Sequence, residues 1–297
     1  MYIPSITIEI DLEKESNMFI NFLHNEHFPQ NKLNIFRCYP ALKEMLDKDT
    51  ENENEIVHTF IENKYSEYNS IIQSTVSEAS VKIDAYGKIV LEQLALLMDY
   101  TWSGNHPGYL IVPTILPFSP FKENCIYFSM IRKIQKIEKK DDMNHGILPF
   151  LAHEISHLIL RDMLGENQKN GVIHSYDWNT AHLLQEILAP VLMNQEPLKD
   201  ILDIKNYGGN PNLLHLNVRQ NDQIENIVSY YEKQYARMKY FEKKPFIEIA
   251  KTMANELQYI HTELTKKMEM WNAHGHSLYV DNTLLSEYQS PILIAGK

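Results

Sequence analysis

The pentapeptide His153-Glu154-Ile155-Ser156-His157 has the residue types and the spacing of a metal site. Four residues of an α-helix bring the chain to within about 40° of its starting direction, so His153 and His157 project from one face and can bind the same ion. Glu154 lies about 100° round the helix from His153, where its carboxylate can contact a water molecule on the metal rather than the metal itself. The pentapeptide therefore predicts a helix that carries two metal ligands with an acidic residue beside them.

The residues around this pentapeptide favour a helix. Pro149 is tolerated in a first turn, and Gly165 fits a C-terminal stop, with Arg161 in the last turn where a cation suits the helix dipole. Most of the residues between them are apolar. Two histidines and a glutamate in so apolar a helix cost free energy unless they have partners, and a metal ion would satisfy both imidazoles.

A catalytic metal of this kind needs a third protein ligand and one open position. Glu186 is the preferred candidate because it lies in a second apolar helical pattern, 179–193, for which Asp177 or Asn179 is the N-cap. Pro190 removes the backbone hydrogen bond to the carbonyl of Glu186, so a kink is expected at the proposed ligand.

His174, Asp177 and His182 remain open as alternative third ligands, because each carries a side chain that binds metals. Asp162 lies five residues after His157 on the same helix and cannot reach the same ion. It is expected instead to accept a hydrogen bond from a ligand histidine, as carboxylates beside metal sites do.

The motif from His153 to His157, followed by a glutamate on a later helix, resembles the gluzincin branch of the zinc metallopeptidases, over about residues 146 to 194. The resemblance implies one Zn²⁺ per chain, held by His153, His157 and Glu186, with Glu154 as the general base. Two features depart from the best-known gluzincins. Glu186 follows His157 after a longer interval, and Pro190 stands four positions after the ligand glutamate, where an acidic residue is common.

The resemblance and the order of segments together predict an α+β fold that is predominantly helical. A zincin-like mixed sheet would pack on the active-site helix, followed by a mostly helical C-terminal half. Residues 1–165 would form the α+β part with the sheet and the HExxH helix, and residues 166–297 the helical part, both within one continuous catalytic unit. Zincins place a strand beside the active-site helix, where its edge aligns an extended peptide, and Cys125–Ile131 is expected to be that strand.

Hydropathy patterns indicate the remaining elements. Alternating or short apolar runs predict strands, and apolar residues three and four apart predict helices. The expected strands are 6–10, 109–113 and 125–131. The expected helices are 14–26, two helices within 52–98 broken near Gly87 or before it, 221–241 and 246–271.

The composition argues against several classes of function. Among 297 residues, 28 are Lys or Arg and 39 are Asp or Glu, which gives a formal net charge of -11. So acidic a chain is not expected to bind nucleic acid through its phosphates or to dock on anionic membranes. No stretch reaches the roughly 18 apolar residues of a membrane span, and the first residues lack the pattern of a signal peptide. Two cysteines, Cys38 and Cys125, are too few for a disulfide framework, so a cytoplasmic protein is expected.

Two hypotheses of function follow. The first is zinc-dependent hydrolysis of peptide bonds, in a peptide or protein substrate, by a metal-bound water with Glu154 as base. The second is a non-catalytic helical binding protein whose HExxH sequence is accidental or a relic. The sequence indicates neither an oligomeric state nor the residue that stabilises the oxyanion. Candidates for that role are Arg219, Tyr230, Tyr231, His274, His276 and Tyr279.

Overall fold

The computed structural model of the protein describes residues 2–26, 29–49, 51–135, 146–166, 171–274 and 281–294. They form a predominantly helical α+β fold with small mixed sheets, which confirms the expected fold class at that level. The chain divides into two compact units. The sheet unit comprises Tyr2–Lys88 and Ser103–Asp142, and the helical unit comprises Ile89–Trp102 and Met143–Lys297. The HExxH sequence thus belongs with the C-terminal residues rather than with the N-terminal sheet, unlike the division at residue 165 expected above.

The sheet unit contains a four-stranded mixed sheet. Its strands are β1 (Ile6–Ile8), β2 (Tyr109–Thr114), β3 (Phe121–Lys122) and β4 (Cys125–Ser129), in the order β1-β2-β4-β3. β2 runs parallel to β1 and β4, and β3 runs antiparallel to β4. β2 is buried almost throughout, as is typical of a central parallel strand. The three strands expected in this region are confirmed, although β1 ends at Ile8 and β4 ends at Ser129.

Both sides of β4 are engaged within the sheet unit. β2 pairs along one side. On the other side, the backbone N–H of Tyr127 donates to the carbonyl of Pro120 at 2.8 Å, and the N–H of Ser129 donates to Ser119 Oγ at 3.1 Å. The expectation that this strand offers its edge to an extended peptide is therefore wrong, because its hydrogen-bonding groups are already used.

The helices of the sheet unit form its apolar core with the strands. Phe19, Leu42, Ile61 and Val112 are fully buried members of this core. The expected helix at 14–26 is confirmed as α1. The two helices expected within 52–98 are also confirmed, because the segment breaks at Tyr68, before Gly87, and then continues as helix through a π-helical turn to Met98. The helices are α1 (Leu12–Leu23), α2 (Pro29–Cys38), α3 (Pro40–Lys48), α4 (Glu53–Glu67), α5 (Asn69–Lys82), a π-helical turn (Ile83–Gly87) and, after the sheet, α7 (Ile131–Ile134).

The helical unit is arranged around its α9 helix, which packs against α8, α10, α11, α12 and α13. The expected helix at 246–271 is in fact two helices, α12 and α13, separated at Ile260. The first helix of this unit is α6 (Lys88–Met98), whose first residue belongs to the sheet unit. The others are α8 (Ile147–Met163), α9 (Trp178–Met193), α10 (Leu198–Ile201), α11 (Ile227–Ala236) with a following π-helical turn (Arg237–Phe241), α12 (Phe246–Tyr259), α13 (His261–His274) and α14 (Asn282–Gln289).

A second small sheet in the helical unit was not expected. It is formed by β5 (Asn217–Gln220), β6 (Gln223–Asn226) and β7 (Ile292–Leu293), with β5 in the middle. The expected helix at 221–241 is wrong over its first residues, because Asn221 and Asp222 have φ of 48° and 57° and form the tight turn between β5 and β6. Two successive residues with positive φ are the signature of a type I′ hairpin turn.

Among the helices of the described ranges, none combines the length and the apolar character needed to cross a membrane.

Candidate metal centre

The α8 helix carries the HExxH sequence as the spacing predicts. It contains Pro149 in its first turn, and Gly165, with φ of 73°, follows its end. His153 and His157 are buried, with 9% and 3% of their surface exposed. Their rings lie 4.4 Å apart between centroids, and their Nε2 atoms are 2.9 Å apart. One turn of helix therefore directs both imidazoles to a single point.

The α9 helix brings Glu186 to the same point. Its N-terminus is capped by Asp177, whose carboxylate accepts from the backbone N–H of Thr180 at 3.0 Å. The apolar residues of α9 are buried, and α9 packs directly on α8. The side chain of Glu186 is only 13% exposed, with Oε2 lying 3.7 Å from His153 Nε2 and Oε1 lying 3.4 Å from His157 Nε2.

His153, His157 and Glu186 form a group whose ligand atoms all lie within 4.8 Å of one another. In a tetrahedral zinc site with bonds of about 2.0–2.2 Å, neighbouring ligand atoms are about 3.3–3.6 Å apart. The three separations of 2.9, 3.4 and 3.7 Å bracket this value. The residues present therefore fit one small divalent cation with two imidazoles and one carboxylate as ligands.

The electrostatics of the group also suit a cation. Burial and the neighbouring His157 lower the pKa of His153 to about 3, so its imidazole is neutral at physiological pH. Burial alone would raise the pKa of Glu186, but the hydrogen bond and the positive charge of His157 hold that pKa below its ordinary value. Burial opposes the charged form of His157, and Glu186 more than offsets this by raising its pKa. Neutral His153 and ionised Glu186 are therefore in the forms that bind a metal, whereas a protonated His157 would have to release its proton on binding.

Glu154 lies beside the group without belonging to it. The carboxylate that joins the two histidines is that of Glu186. Burial raises the pKa of Glu154 to about 8, with a further increase from the charge of Glu186 and an opposing effect of His157. Glu154 is thus a carboxyl group that lies close to the cluster and has a pKa near neutral pH.

Tyr207 orients the first histidine. Its hydroxyl lies 3.1 Å from His153 Nδ1, and the tyrosine is buried. When Nε2 of a histidine binds a metal, Nδ1 carries the proton and donates it to a neighbouring acceptor. With a metal on Nε2, the Tyr207 hydroxyl would be that acceptor. Tyr207 belongs to none of the patterns described from the sequence. The available signal was a tyrosine immediately before a Gly-Gly turn in an otherwise polar segment.

The C-terminal end of α9 holds Tyr207 in place. Asn194, the C-cap of α9, donates from Nδ2 to the carbonyl of Tyr207 at 3.1 Å and accepts from its backbone N–H at 2.7 Å. Gly209, with φ of 69°, lies against the Pro190 ring, where a Cβ atom would come within 2.9 Å of the proline Cγ. Both contacts fix the loop that carries Tyr207 to the helix that carries Glu186.

The alternative third ligands lie elsewhere or have other contacts. His174 is exposed, and its Nε2 lies 3.0 Å from the carbonyl of Glu166. Asp177 caps α9 and pairs with His261 at 3.1 Å. His182 stacks on Trp178, with ring centroids 4.9 Å apart.

The pKa of His182 is lowered by burial, while the charge of Glu186 acts in the opposite direction. His182 is therefore near the centre, but its ring is not one of the grouped ligands.

Asp162 does not have the expected contact. It is exposed on α8 and accepts a hydrogen bond from the hydroxyl of Tyr100 at 2.7 Å. The group bonded to a ligand histidine is the Tyr207 hydroxyl instead.

The expected oxyanion donors are dispersed. Arg219 is exposed on β5, and His274 is exposed at the end of α13. Tyr230 and Tyr231 line a different cavity, together with Glu256. His276 and Tyr279 lie outside the described residues.

No protein-family profile matches the chain, and comparisons with curated proteins and with solved structures find no match either.

Proposed function

We propose that this protein is a zinc-dependent hydrolase that cleaves peptide bonds in a peptide or protein substrate. The observation that supports it is the convergence of His153, His157 and Glu186 from two helices on one buried point, with Glu154 beside them. The ligand set and the base support hydrolysis as the reaction. The choice of the peptide bond as the bond that is cleaved is supported by the resemblance to gluzincins. The proposal includes a cytoplasmic location and a zincin-like packing of a mixed sheet on the HExxH helix, without the free strand edge that β4 was expected to offer.

His153, His157 and Glu186 would hold the zinc ion. Two imidazoles and one carboxylate are a known catalytic zinc set, which leaves a fourth position open for water or substrate. Zinc, when bound, supplies Lewis acidity that makes a water molecule acidic near neutral pH and polarises a carbonyl group.

Glu154 supplies the proton transfers. Its carboxylate accepts a proton from the attacking water and delivers a proton to the leaving amine. The same group takes up and releases a proton in each turnover, as a general acid–base does. Tyr207 acts on the site indirectly, since its hydroxyl fixes the ring of His153.

The first test is the metal content of the full chain, purified without chelator or added metal and measured by elemental mass spectrometry. We expect about one zinc per chain in the wild type. The double variant His153→Ala/His157→Ala should lose it. His174→Ala is the matched control, because it removes an exposed histidine from the same unit and should retain zinc. A wild-type chain that neither contains nor takes up zinc would refute the proposal and favour a non-catalytic binding protein.

The second test separates metal binding from catalysis. Glu154→Gln should retain zinc, because Glu154 is not among the grouped ligands, and should lower hydrolysis by about 10²–10⁴-fold. Activity is measured by mass spectrometry on a library of proteome-derived peptides, since a substrate confined to one partner protein would escape a casein assay. Equal cleavage by the wild type and the Glu154→Gln variant would exclude Glu154 as the base.

A further inference from the structure

His182 lies one helical turn before Glu186 on α9. Residues four apart on an α-helix differ in direction by about 40°, and their Cβ atoms lie about 5–6 Å apart. Trp178 precedes His182 by another turn, so the three side chains follow one another along one side of α9. The His182 imidazole is therefore beside the proposed ligand carboxylate, although it is not one of the grouped ligands.

Stacking on Trp178 holds the ring of His182. The two rings are nearly parallel, with an angle of 13° between their planes and 4.9 Å between their centroids. The stacking occupies a face of the imidazole, whereas both nitrogen atoms lie at the edge of the ring. A side chain that is already oriented loses little further freedom when it forms a hydrogen bond.

Neither nitrogen atom of His182 has a hydrogen-bond partner among the residues that the structure describes. Other histidines of the unit differ in this respect. Nδ1 of His153 lies 3.1 Å from the Tyr207 hydroxyl, and Nε2 of His174 lies 3.0 Å from the carbonyl of Glu166. Because an imidazole has at least one N–H donor in either charge state, His182 offers an oriented donor to a group from outside the chain.

The accessible side of the metal centre is the side on which His182 lies. His153 and His157 are buried, whereas the side chains of Glu154, His182 and Glu186 are partly exposed. Burial lowers the pKa of His182, and the charges of Glu186 and His157 also act on it, which agrees with a position close to both. A substrate that approaches the centre from solvent therefore meets Glu154 and His182.

We infer that His182 donates a hydrogen bond to the carbonyl oxygen of the peptide bond that is cleaved. This inference rests on the proposed function. Water adds to the carbonyl carbon, its proton passes to Glu154, and the electron pair of the C=O bond moves to the oxygen. The C=O bond then re-forms, the C–N bond breaks, and the amine leaves with the proton from Glu154. His182 keeps its own proton, and its N–H stabilises the oxygen while that atom is negative.

The first test measures turnover of the peptide that the wild type cleaves fastest in the peptide library. In His182→Ala, kcat should fall about 10²–10³-fold, as for loss of one oxyanion donor. KM should stay within about threefold, because the oxygen is negative mainly in the transition state. His182→Gln should recover at least about tenfold of the loss, since its amide restores an N–H donor. His174→Ala is the matched control and should cleave as the wild type does.

The second test needs no turnover. Acetohydroxamate is the probe, because it has an anionic oxygen that binds metals and a carbonyl oxygen beside it. Its binding to the zinc-loaded full chain is measured by isothermal titration calorimetry. His182→Ala should weaken binding about fivefold, the effect of one neutral hydrogen bond, and His174→Ala should leave it unchanged. The zinc Kd of His182→Ala should stay within about twofold of the wild type, and circular dichroism checks that each variant is folded.

Three outcomes would overturn the inference. Loss of zinc from folded His182→Ala would identify His182 as a metal ligand instead of a donor to the substrate. Unchanged kcat and probe binding in His182→Ala, with cleavage that still needs zinc and Glu154, would overturn this inference alone and leave the proposed function intact. A wild-type chain without zinc, or whose cleavage is independent of Glu154, would refute both.

Discussion

The hydroxyl of Tyr207 should contribute measurably to metal affinity, although it does not belong to the ligand group. Tyr207→Phe removes this hydroxyl from its position 3.1 Å from His153 Nδ1 and keeps the buried ring. Metal binding through Nε2 requires a proton on Nδ1, and in the variant this proton has lost its acceptor at a buried position. The ring of His153 also loses the contact that orients it.

The expected magnitude follows from the kind of hydrogen bond that is lost. Loss of a group that orients a metal ligand weakens metal binding by about 10–100-fold. The Tyr207 hydroxyl is a neutral acceptor, and neutral hydrogen bonds are weaker than those to a carboxylate. We therefore expect the lower end, an increase of about tenfold in the zinc Kd, which corresponds to about 1.4 kcal/mol.

Competition with a chromophoric chelator of known zinc affinity measures this Kd, and circular dichroism confirms that the variant is folded. Tyr176→Phe is the matched control, because its hydroxyl lies 3.4 Å from Asn255 Oδ1 and has no contact with the ligand group. A Kd for Tyr207→Phe within twofold of the wild type would refute the orienting role. An equal loss in the control would show that the effect is not specific to His153.

Three further predictions concern stability. Burial raises the pKa of Glu15 from 4.5 to about 8, so between these values the folded state holds a proton that the unfolded chain has released. The free energy of unfolding, from urea titrations at several pH values, should fall as pH rises through this window, by at most about 5 kcal/mol. Gly209→Ala should lower it by about 1–3 kcal/mol because of the positive φ and the contact with Pro190. Asp177→Ala should lower it by about 0.5–2 kcal/mol through loss of the α9 cap.

Each of these has a control in the same chain. Glu15→Gln removes the titrating group, and an unchanged pH slope in this variant would contradict the assignment of the slope to Glu15. Gly104→Ala should be nearly neutral, because a Cβ atom there meets nothing within 4 Å. Equal losses at the two glycines would contradict the steric argument. Asp281→Ala removes the cap of the shorter α14 helix, and hydrogen exchange should localise each loss to its own helix.

The local part of the site could be predicted from the sequence. The spacing of His153 and His157 fixes their common face on a helix, and an apolar pattern fixes the burial of Glu186. These are properties of residues within one or two turns of one another. The pairing of Glu186 with the histidines needed one further assumption, that the two apolar helices pack on each other, and the structure has them in contact.

The parts that were missed depend on contacts between distant residues. Tyr207 reaches His153 across 54 residues of chain, and hydropathy gives no information on such a contact. β7 pairs with β5 although the two strands lie far apart along the chain. The β5–β6 hairpin was missed for a different reason: its strands have four residues each, and the helical pattern of α11 was extended back over them. The Asn221-Asp222 pair was the available signal for its turn.

Pro190 has a different role from the one that its helix-breaking character suggests. The residue frees the carbonyl of Glu186 from its helical bond, yet α9 continues to Met193 and ends at Asn194. The Pro190 ring is the surface on which Gly209 packs, and Asn194 clamps the backbone of Tyr207 one turn later. The α9 helix thus carries Glu186, the proposed third ligand, and makes both of the contacts that position Tyr207 beside His153. The positions of metal ligands are only as well fixed as the element that carries them. Substitutions at the C-terminal end of α9 should therefore weaken metal binding even where Glu186 itself is unchanged.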